Sequence, residues 1–288
     1  VLESSKREPE TIGFCMNPEF LREGRAIKDL LNPDRIVIGG NSITAIQFVK
    51  EVYSKITAPI ITTSLSAAEM IKYVSNAFLA MKISFSNEIG NICKKKGIDV
   101  YEVMNGVGYD HRINPYFLNA GLGFGGSCFP KDVMALIHLA ETYDEDPLLL
   151  KSIISVNEKQ PMRIVNLLKE RIGSLKDKRI AILGLAFKDN TDDVRDSRAI
   201  SVIKILLREG ADIAAYDPMA IESMKYYFPR LDYQKSIGDT LQGADACLVL
   251  TEWPEFKKIT SDFDRMKNRV IIEGRRILSI DEREGICW

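Results

Sequence analysis

The chain is 288 residues long, with 45% hydrophobic and 27% charged residues. That balance fits a soluble globular protein and excludes a disordered, collagen-like or disulfide-scaffold chain. Lys plus Arg total 39 and Asp plus Glu total 40, a net charge of −1, so nothing in the bulk charge draws the chain to nucleic acid or to an anionic membrane.

The length predicts about two domains. No apolar run approaches the roughly 18–20 residues of a membrane span, and the charged stretch Val1 to Glu10 has no apolar signal region. The chain starts at Val1 rather than Met, which suggests a processed, cut or engineered front end. Five scattered cysteines without a Cys-x-x-Cys pair, and only two histidines, argue against a metal site. They fit reduced thiols in a cytoplasmic compartment.

In chain order, Thr11 to Met16 reads as a short strand and Arg35 to Ile38 as a second, closed by Gly39-Gly40. A helix follows over Ile43 to Lys55, then a strand over Pro59 to Thr63. Ser66-x-x-Glu69 is a capping-box pattern that opens a long helix ending at Gly97. Ile71, Val74, Phe78, Met81, Phe85, Ile89 and Ile92 recur at steps of three and four, predicting one buried stripe. The chain then reads as mostly helical to about Ile172, broken by the Gly-rich segment Gly121 to Asp132. From Lys178 the pattern changes. Strands over Arg179 to Leu185, Ala211 to Tyr216, Ala244 to Leu250 and Arg269 to Ile272 alternate with helices such as Ser197 to Glu209. Such alternation predicts a doubly wound parallel sheet.

Cys128 is the strongest chemical candidate. Pro130 favours the first turn of a helix, which places Cys128 at a helix N-terminus, where the dipole and Lys131 favour its nucleophilic thiolate. A structural cysteine beside a Gly-rich turn is the plainer alternative. Gly121-x-Gly123-x-Gly125-Gly126 is a poor dinucleotide fingerprint, since no strand precedes it, and the strand at 179 is followed by Gly184-Leu-Ala-Phe-Lys188 instead. Glu19 and Glu23 are four apart and share a face if helical, as do Lys72 and Asn76. The first pair suits acid–base work, the second oxyanion stabilisation; ordinary solvated helix faces are the alternative for both. Lys188, Arg195, Arg275 and Arg276 follow strand ends, where open α/β sheets bind ligands, and suggest phosphate.

Seven ordered segments carry a resemblance: Asn17-Pro-Glu-Phe-Leu-Arg-Glu-Gly24, Asn32-Pro-Asp-Arg-Ile-Val-Ile-Gly39, Glu69-Met-Ile-Lys-Tyr-Val-Ser-Asn76, Gly108-Tyr-Asp-His-Arg-Ile113, Gly123-Phe-Gly-Gly-Ser-Cys-Phe-Pro-Lys-Asp132, Leu183-Gly-Leu-Ala-Phe-Lys188 with Arg195-Asp-Ser, and Glu273-Gly-Arg-Arg276. From about Thr11 to the C-terminus the chain resembles the UDP-glucose/GDP-mannose 6-dehydrogenases. These oxidise the C6 alcohol of a nucleotide sugar to a carboxylate with NAD, through a cysteine thiohemiacetal and a thioester. The resemblance implies Cys128 as nucleophile, Lys72 and Asn76 as oxyanion stabilisers, Asp132 as a water- or proton-handling carboxylate, and Glu19 in thioester hydrolysis. It implies Glu23, Lys131 and Arg195 near the cofactor. Phe20, Leu21, the stretch Asn119 to Gly125 with Gly123 and Phe124, Phe187, Lys188 and Arg275 form the UDP-sugar cradle, and Arg112 is supplied across a subunit interface. No metal is implied.

The implied α/β architecture is a remnant of an N-terminal Rossmann domain (1–63), a central helical dimerisation domain with one long helix (64–174), and a C-terminal Rossmann-like parallel-sheet domain (175–288). A homodimer through the long helix follows from the same resemblance. The family begins with a Gly-x-Gly-x-x-Gly turn that this sequence does not contain. The expectation is therefore a truncated, poorly active form with the NAD-binding half largely absent, and a separate N-terminal NAD-binding chain is a candidate partner. Glu273-Gly stands where relatives often have Asp-Gly. The Leu122 to Phe129 and Asp110 to Ile113 segments look most like the branch acting on UDP-glucose. GDP-mannose or a UDP-N-acetylhexosamine is the alternative substrate, and an inactive nucleotide-sugar-binding or dimerisation fragment is the alternative of another class.

Overall fold

The computed structural model describes residues 12–288; the N-terminal stretch Val1 to Glu10, and Thr11 of the predicted first strand, lie outside the described residues. The chain divides into two compact units, Val1–Asn76 and Ala77–Trp288.

The first unit holds β1 (Cys15–Met16), α1 (Ala26–Leu31), β2 (Ile36–Gly40), α2 (Ile43–Val52) and β3 (Ile60–Thr63). The sheet order is β1-β2-β3, with β1 antiparallel to β2 and β3 parallel to it. Parallel neighbours need a crossover, and α2 supplies it, capped by Ser42 Oγ, which accepts the Ala45 N–H at 3.2 Å. Gly39 has no room for a side chain. A Cβ there would lie 2.5 Å from the Ser64 carbonyl oxygen and 2.7 Å from Ala68 Cβ. Two expectations change. The first strand is only Cys15–Met16, and the segment from Asn17 to Gly24 is not helical, so Glu19 and Glu23 share no helix face. Asn17 explains the extended path. Its amide donates to the Val37 carbonyl at 2.8 Å, and its Oδ1 accepts the Tyr53 hydroxyl at 2.5 Å.

Helix α3 (Leu65–Lys96) has 32 residues, about 48 Å at 1.5 Å per residue. Its cap is Ser64, not Ser66: Ser64 Oγ accepts the Ala67 N–H at 3.2 Å, and the Ser64 carbonyl accepts from Ala68 at 3.0 Å. The predicted capping box therefore lies two residues too late. At the other end Gly97 adopts φ +67°, Ile98 N–H returns to the Cys93 carbonyl and Gly97 N–H to that of Lys94, a Schellman stop. The predicted buried stripe is also corrected. Val74, Phe78, Phe85 and Ile92 are 48–57% exposed, while Ala77, Ala80, Ser84 and Asn87 are buried. Small and polar residues make the inner face because neighbouring backbone comes close, as where Ser84 Oγ donates to the Ile153 carbonyl at 2.8 Å.

The second unit continues with α4 (Val100–Gly108), α5 (Phe129–Thr142) and α6 (Leu148–Ile172), then β4 (Arg179–Leu183), α7 (Arg198–Arg208), β5 (Asp212–Tyr216), α8 (Ile221–Lys225), β6 (Asp232–Tyr233), α9 (Ile237–Leu241), β7 (Ala246–Val249), β8 (Ile271–Glu273) and β9 (Glu284–Gly285). The strands form one parallel sheet in the order β6-β5-β4-β7-β8-β9. Counted from β4, this is the doubly wound order 3-2-1-4-5-6, whose switch point lies between β4 and β7. Central strands buried on both faces need continuous apolar runs. Ile180, Ile182, Leu183, Leu248 and Val249 are fully buried, with Val202, Ile203 and Leu206 of α7 in the same core. A second, smaller core joins Ala77, Ala80, Phe124, Val133, Ile137 and Ile153, and so anchors α5. Among the described residues no helix is long and apolar enough to cross a membrane.

Candidate active site

Cys128 takes the N-cap position of α5, with Pro130 in the first turn. Its carbonyl accepts the Asp132 N–H at 2.9 Å, and its Sγ lies 3.6 Å from Ser127 Oγ. It is exposed, whereas Cys93, Cys247 and Cys287 are buried. Burial pushes the Cys287 thiol up to about 12 and raises that of Cys247 as well, leaving both inert as nucleophiles near neutral pH. Asp132 sits one turn into α5, buried, where the helix N-terminus favours a carboxylate. Lys131 reaches over it and pairs with its Oδ1.

The loop before Cys128 runs against the C-terminal ends of the six-stranded sheet. The Leu122 N–H donates to the Gly274 carbonyl at 2.8 Å, Arg275 donates to the Gly123 carbonyl, and the Gly126 N–H donates to the Arg195 carbonyl at 2.9 Å. A Cβ on Gly126 would press on the Phe187 ring at 2.7 Å. The fold thus brings Gly123, Phe124, Gly125, Phe187, Arg195 and Arg275 together around the cysteine loop. The Lys188 ammonium stands 5.5 Å from the Phe187 ring centroid, and the Arg195 guanidinium is held by Asp193 at 2.8–3.0 Å.

The turn after β4 lies at the switch point. Gly184 has φ +98°, and any Cβ would strike Thr251 at 2.6 Å. Buried Asp217 accepts the N–H groups of Leu185 and Ala186 at 2.7 and 3.0 Å and the Trp253 indole N–H at 3.0 Å. Its other oxygen accepts from Met219 and Ala220 at 2.9 and 2.8 Å. Ser197 and Thr251 hydroxyls donate to the Leu185 and Ala186 carbonyls, each at 2.7 Å. Every polar backbone group of the Leu185-Ala186 pair is thus held by a side chain.

In the first unit Glu19 accepts the Leu21 N–H at 2.6 Å and the Lys72 ammonium at 3.1 Å. Lys72 Nζ lies 5.5 Å from the Phe20 ring centroid, and the Arg35 guanidinium stacks on that ring at 4.1 Å. Arg35 also donates to Ser75 Oγ at 3.0 Å. Asn76 is buried one turn beyond Lys72 on α3. Glu23 lies in an exposed turn.

Asn119 is exposed, as is Arg112, whose guanidinium grips Asp110 at 2.6–3.2 Å. The Arg112 turn is pinned from below. Lys82 donates to the Ile113 and Asn114 carbonyls, both at 3.1 Å, and burial lowers its pKa. Among the described residues, no other predicted site residue hydrogen-bonds to Arg112. Sequence reasoning missed Arg35, Asp217, Asn87, Asn157 and Gln160. Arg35 lies inside the Asn32 to Gly39 segment and Asp217 in the Asp-Pro strand stop, but the three carboxamides sit on helices with no local signal.

Residues 66–159 match the central domain, 181–280 the UDP-binding domain and 1–57 the NAD-binding domain of the UDP-glucose/GDP-mannose dehydrogenase family. The chain is 48% identical over 290 residues to the UDP-glucose 6-dehydrogenase AglM of Haloferax volcanii, covering 99% of this chain and 67% of that protein. This chain belongs to the UDP-glucose/GDP-mannose dehydrogenase family.

Within the family, the chain is 46% identical to the UDP-glucose 6-dehydrogenase TuaD of Bacillus subtilis, covering 99% of this chain and 62% of that one. A UDP-glucose dehydrogenase structure from Pyrobaculum islandicum superposes with a TM-score of 0.91 at 40% identity, covering 96% of this chain and 64% of that chain. A UDP-D-ManNAc dehydrogenase structure from Pyrococcus horikoshii gives 0.84 at 29% identity, covering 98% and 66%. The chain thus spans about two thirds of the length of the relatives it matches. The NAD-binding-domain match over residues 1–57 overturns the expectation that the NAD-binding half is largely absent, and the expectation of a truncated form has no support. A Gly-x-Gly-x-x-Gly turn is a single motif, and the match over residues 1–57 does not depend on it.

The β2–α2–β3 crossover is the unit from which dinucleotide-binding sheets are assembled. Gly39 and Gly40 are the last residues of β2 and are taken up by packing, with Ile46 Cγ1 2.5 Å from where a Gly40 Cβ would sit, so this strand end is no diphosphate cradle.

Proposed function

We propose that this protein oxidises the C6 primary alcohol of UDP-glucose to the carboxylate, with Cys128 holding the sugar carbon covalently between the two oxidations. The observation that carries the reading is the exposed Cys128 at the head of α5, on a loop fastened to the switch-point end of the parallel sheet. Two NAD molecules, bound in turn, would each accept one of the two hydrides released, the first as the alcohol becomes an aldehyde and the second on the way to the carboxylate. Cys128 Sγ attacks the aldehyde carbon to give a thiohemiacetal, and loss of the second hydride leaves a thioester that water cleaves. Lys72 and Asn76 stabilise the oxyanion formed at that carbon. Asp132 takes up or returns a proton, its buried carboxylate paired with Lys131. Glu19, half held by Lys72, activates the hydrolytic water.

Glu23, Lys131 and Arg195 are the proposed cofactor contacts. The proposed cradle for the UDP-sugar comprises Phe20, Leu21, Asn119 to Gly125, Phe187, Lys188 and Arg275. Names and identities among the relatives favour UDP-glucose over a UDP-N-acetylhexosamine, 46–48% against 29%. The domain matches support a division at 63/64 and 174/175. The half-exposed face of Val74, Phe78, Phe85 and Ile92 on α3 supports a homodimer through that helix, with Arg112 reaching the partner's site. The free thiols support a cytoplasmic location.

The test is turnover with UDP-glucose and NAD followed by absorbance of the reduced cofactor. Two reduced cofactors per sugar are expected, and Cys128→Ala should lower carboxylate formation by about 10³-fold or more. Full activity in that variant would refute the assignment.

A further inference from the structure

The Gly121–Phe124 loop has no regular secondary structure, yet its residues are buried, so its backbone donors and acceptors need partners. Three carboxamides supply them. Asn157 Oδ1 accepts the Phe124 N–H at 2.7 Å, and its Nδ2 donates to the Phe124 carbonyl at 3.0 Å. Asn87 Oδ1 accepts the Gly121 N–H at 2.7 Å, and Gln160 Nε2 donates to the Gly121 carbonyl at 2.7 Å. All three side chains are at most 1% exposed.

We infer that Asn157 is a positioning residue, aided by Gln160 and Asn87. It fixes the peptide groups of Phe124, and so the shape in which the loop receives the nucleotide sugar four residues ahead of Cys128. This inference rests on the UDP-sugar reading above. The backbone has been fitted to Asn157 on both sides. Gly123 adopts φ +103°, and a Cβ there would collide with Asn157 Oδ1. Pro161 stands four residues after Asn157 inside α6 and offers no N–H to the Asn157 carbonyl, so the helix gives up a bond where the loop comes closest. A carboxamide is the side chain that suits the task. It is donor and acceptor at once, whereas a carboxylate only accepts and a leucine does neither.

The variants Asn157→Asp and Asn157→Leu keep the side-chain size. The first retains the acceptor for the Phe124 N–H and sets a negative oxygen against the Phe124 carbonyl. The second removes both bonds. Calorimetric titration of the whole protein with UDP-glucose should show affinity falling about tenfold in Asn157→Asp and about 100-fold in Asn157→Leu. The affinity for NAD should stay within about twofold of the unaltered protein, a selectivity that general loosening would not produce. Asn157→Asp carries the test if Asn157→Leu fails to fold. Unchanged UDP-glucose affinity, or equal weakening towards both ligands, would overturn the inference. If the unaltered protein binds no UDP-glucose, the substrate reading falls instead, and the clamp is decided by amide hydrogen exchange. Faster exchange confined to Gly121 to Phe124 in the variants supports it, and unchanged protection overturns it.

Discussion

Two parallel crossovers of this chain, β2–α2–β3 and β4–α7–β5, treat similar residues differently. In the second unit β4 is a central strand, and Ile180, Ile182 and Leu183 are fully buried. In the first unit β3 is an edge strand, and Ile60 and Ile61 remain 38% and 42% exposed. The flanking helices repeat the contrast. α7 buries Val202, Ile203 and Leu206, whereas α2 leaves Ile43, Phe48 and Val52 70–88% exposed. Apolarity selects the strand, but place in the sheet decides burial. The candidate sites differ in the same way. Around Cys128 and the switch point, backbone groups are held by buried side chains, while Glu19, Lys72, Arg22 and Asp29 are tied by ion pairs close to solvent.

That contrast is easiest to break by truncating one residue on each side. Ile182→Ala should cost about 2–5 kcal/mol in denaturant unfolding, and Ile61→Ala less than about 1 kcal/mol, since its side chain is already half in water. Comparable losses would mean that edge and centre are not distinct. Asp217→Ala comes next. It leaves the N–H groups of Leu185 and Ala186 and the Trp253 indole without their buried acceptor, at about 3 kcal/mol. It should also weaken UDP-sugar binding, because the turn carrying Phe187 and Lys188 loses its frame. A variant that unfolds at the unaltered temperature and binds normally would count against a rigid switch-point turn.

The smallest effect belongs to the exposed side. The Arg22 guanidinium donates to Asp29 at 2.9 and 2.6 Å and holds its carboxyl at about 2, against an ordinary 3.8. A depressed folded pKa stabilises above the unfolded value and is lost as pH falls through the folded one. The pair should therefore contribute above about pH 4 and fade towards pH 2, by less than about 1 kcal/mol because it is solvent-screened. Acid unfolding of Asp29→Asn measures it; a loss of stability at pH 7 of several kcal/mol would contradict the expectation.

Much of this was legible in the sequence. Strand and helix alternation after Lys178, the helix N-terminus at Cys128 and the stop at Gly97 depend on local chemistry, and the structure carries each of them. Where tertiary contacts decide, the reading failed. The α3 stripe looked buried because its spacing was helical and apolar, yet close backbone approach selected Ala77, Ala80 and Ser84 for the inner face. Glu19 and Glu23 would have shared a face only in a helix, and Asn17 side-chain bonds to Val37 and Tyr53 hold the segment extended. Asn157 and Gln160, spaced one turn apart on α6, carry no local signal in the sequence. Their partners lie more than 30 residues away in the chain, beyond any periodicity argument.

Calorimetric titration of the purified protein with UDP-glucose and, separately, with GDP-mannose bears most directly on the central claim. Saturable binding of UDP-glucose with no comparable binding of GDP-mannose is the predicted result. Absence of UDP-glucose binding, or tighter binding of GDP-mannose, would contradict the UDP-sugar assignment.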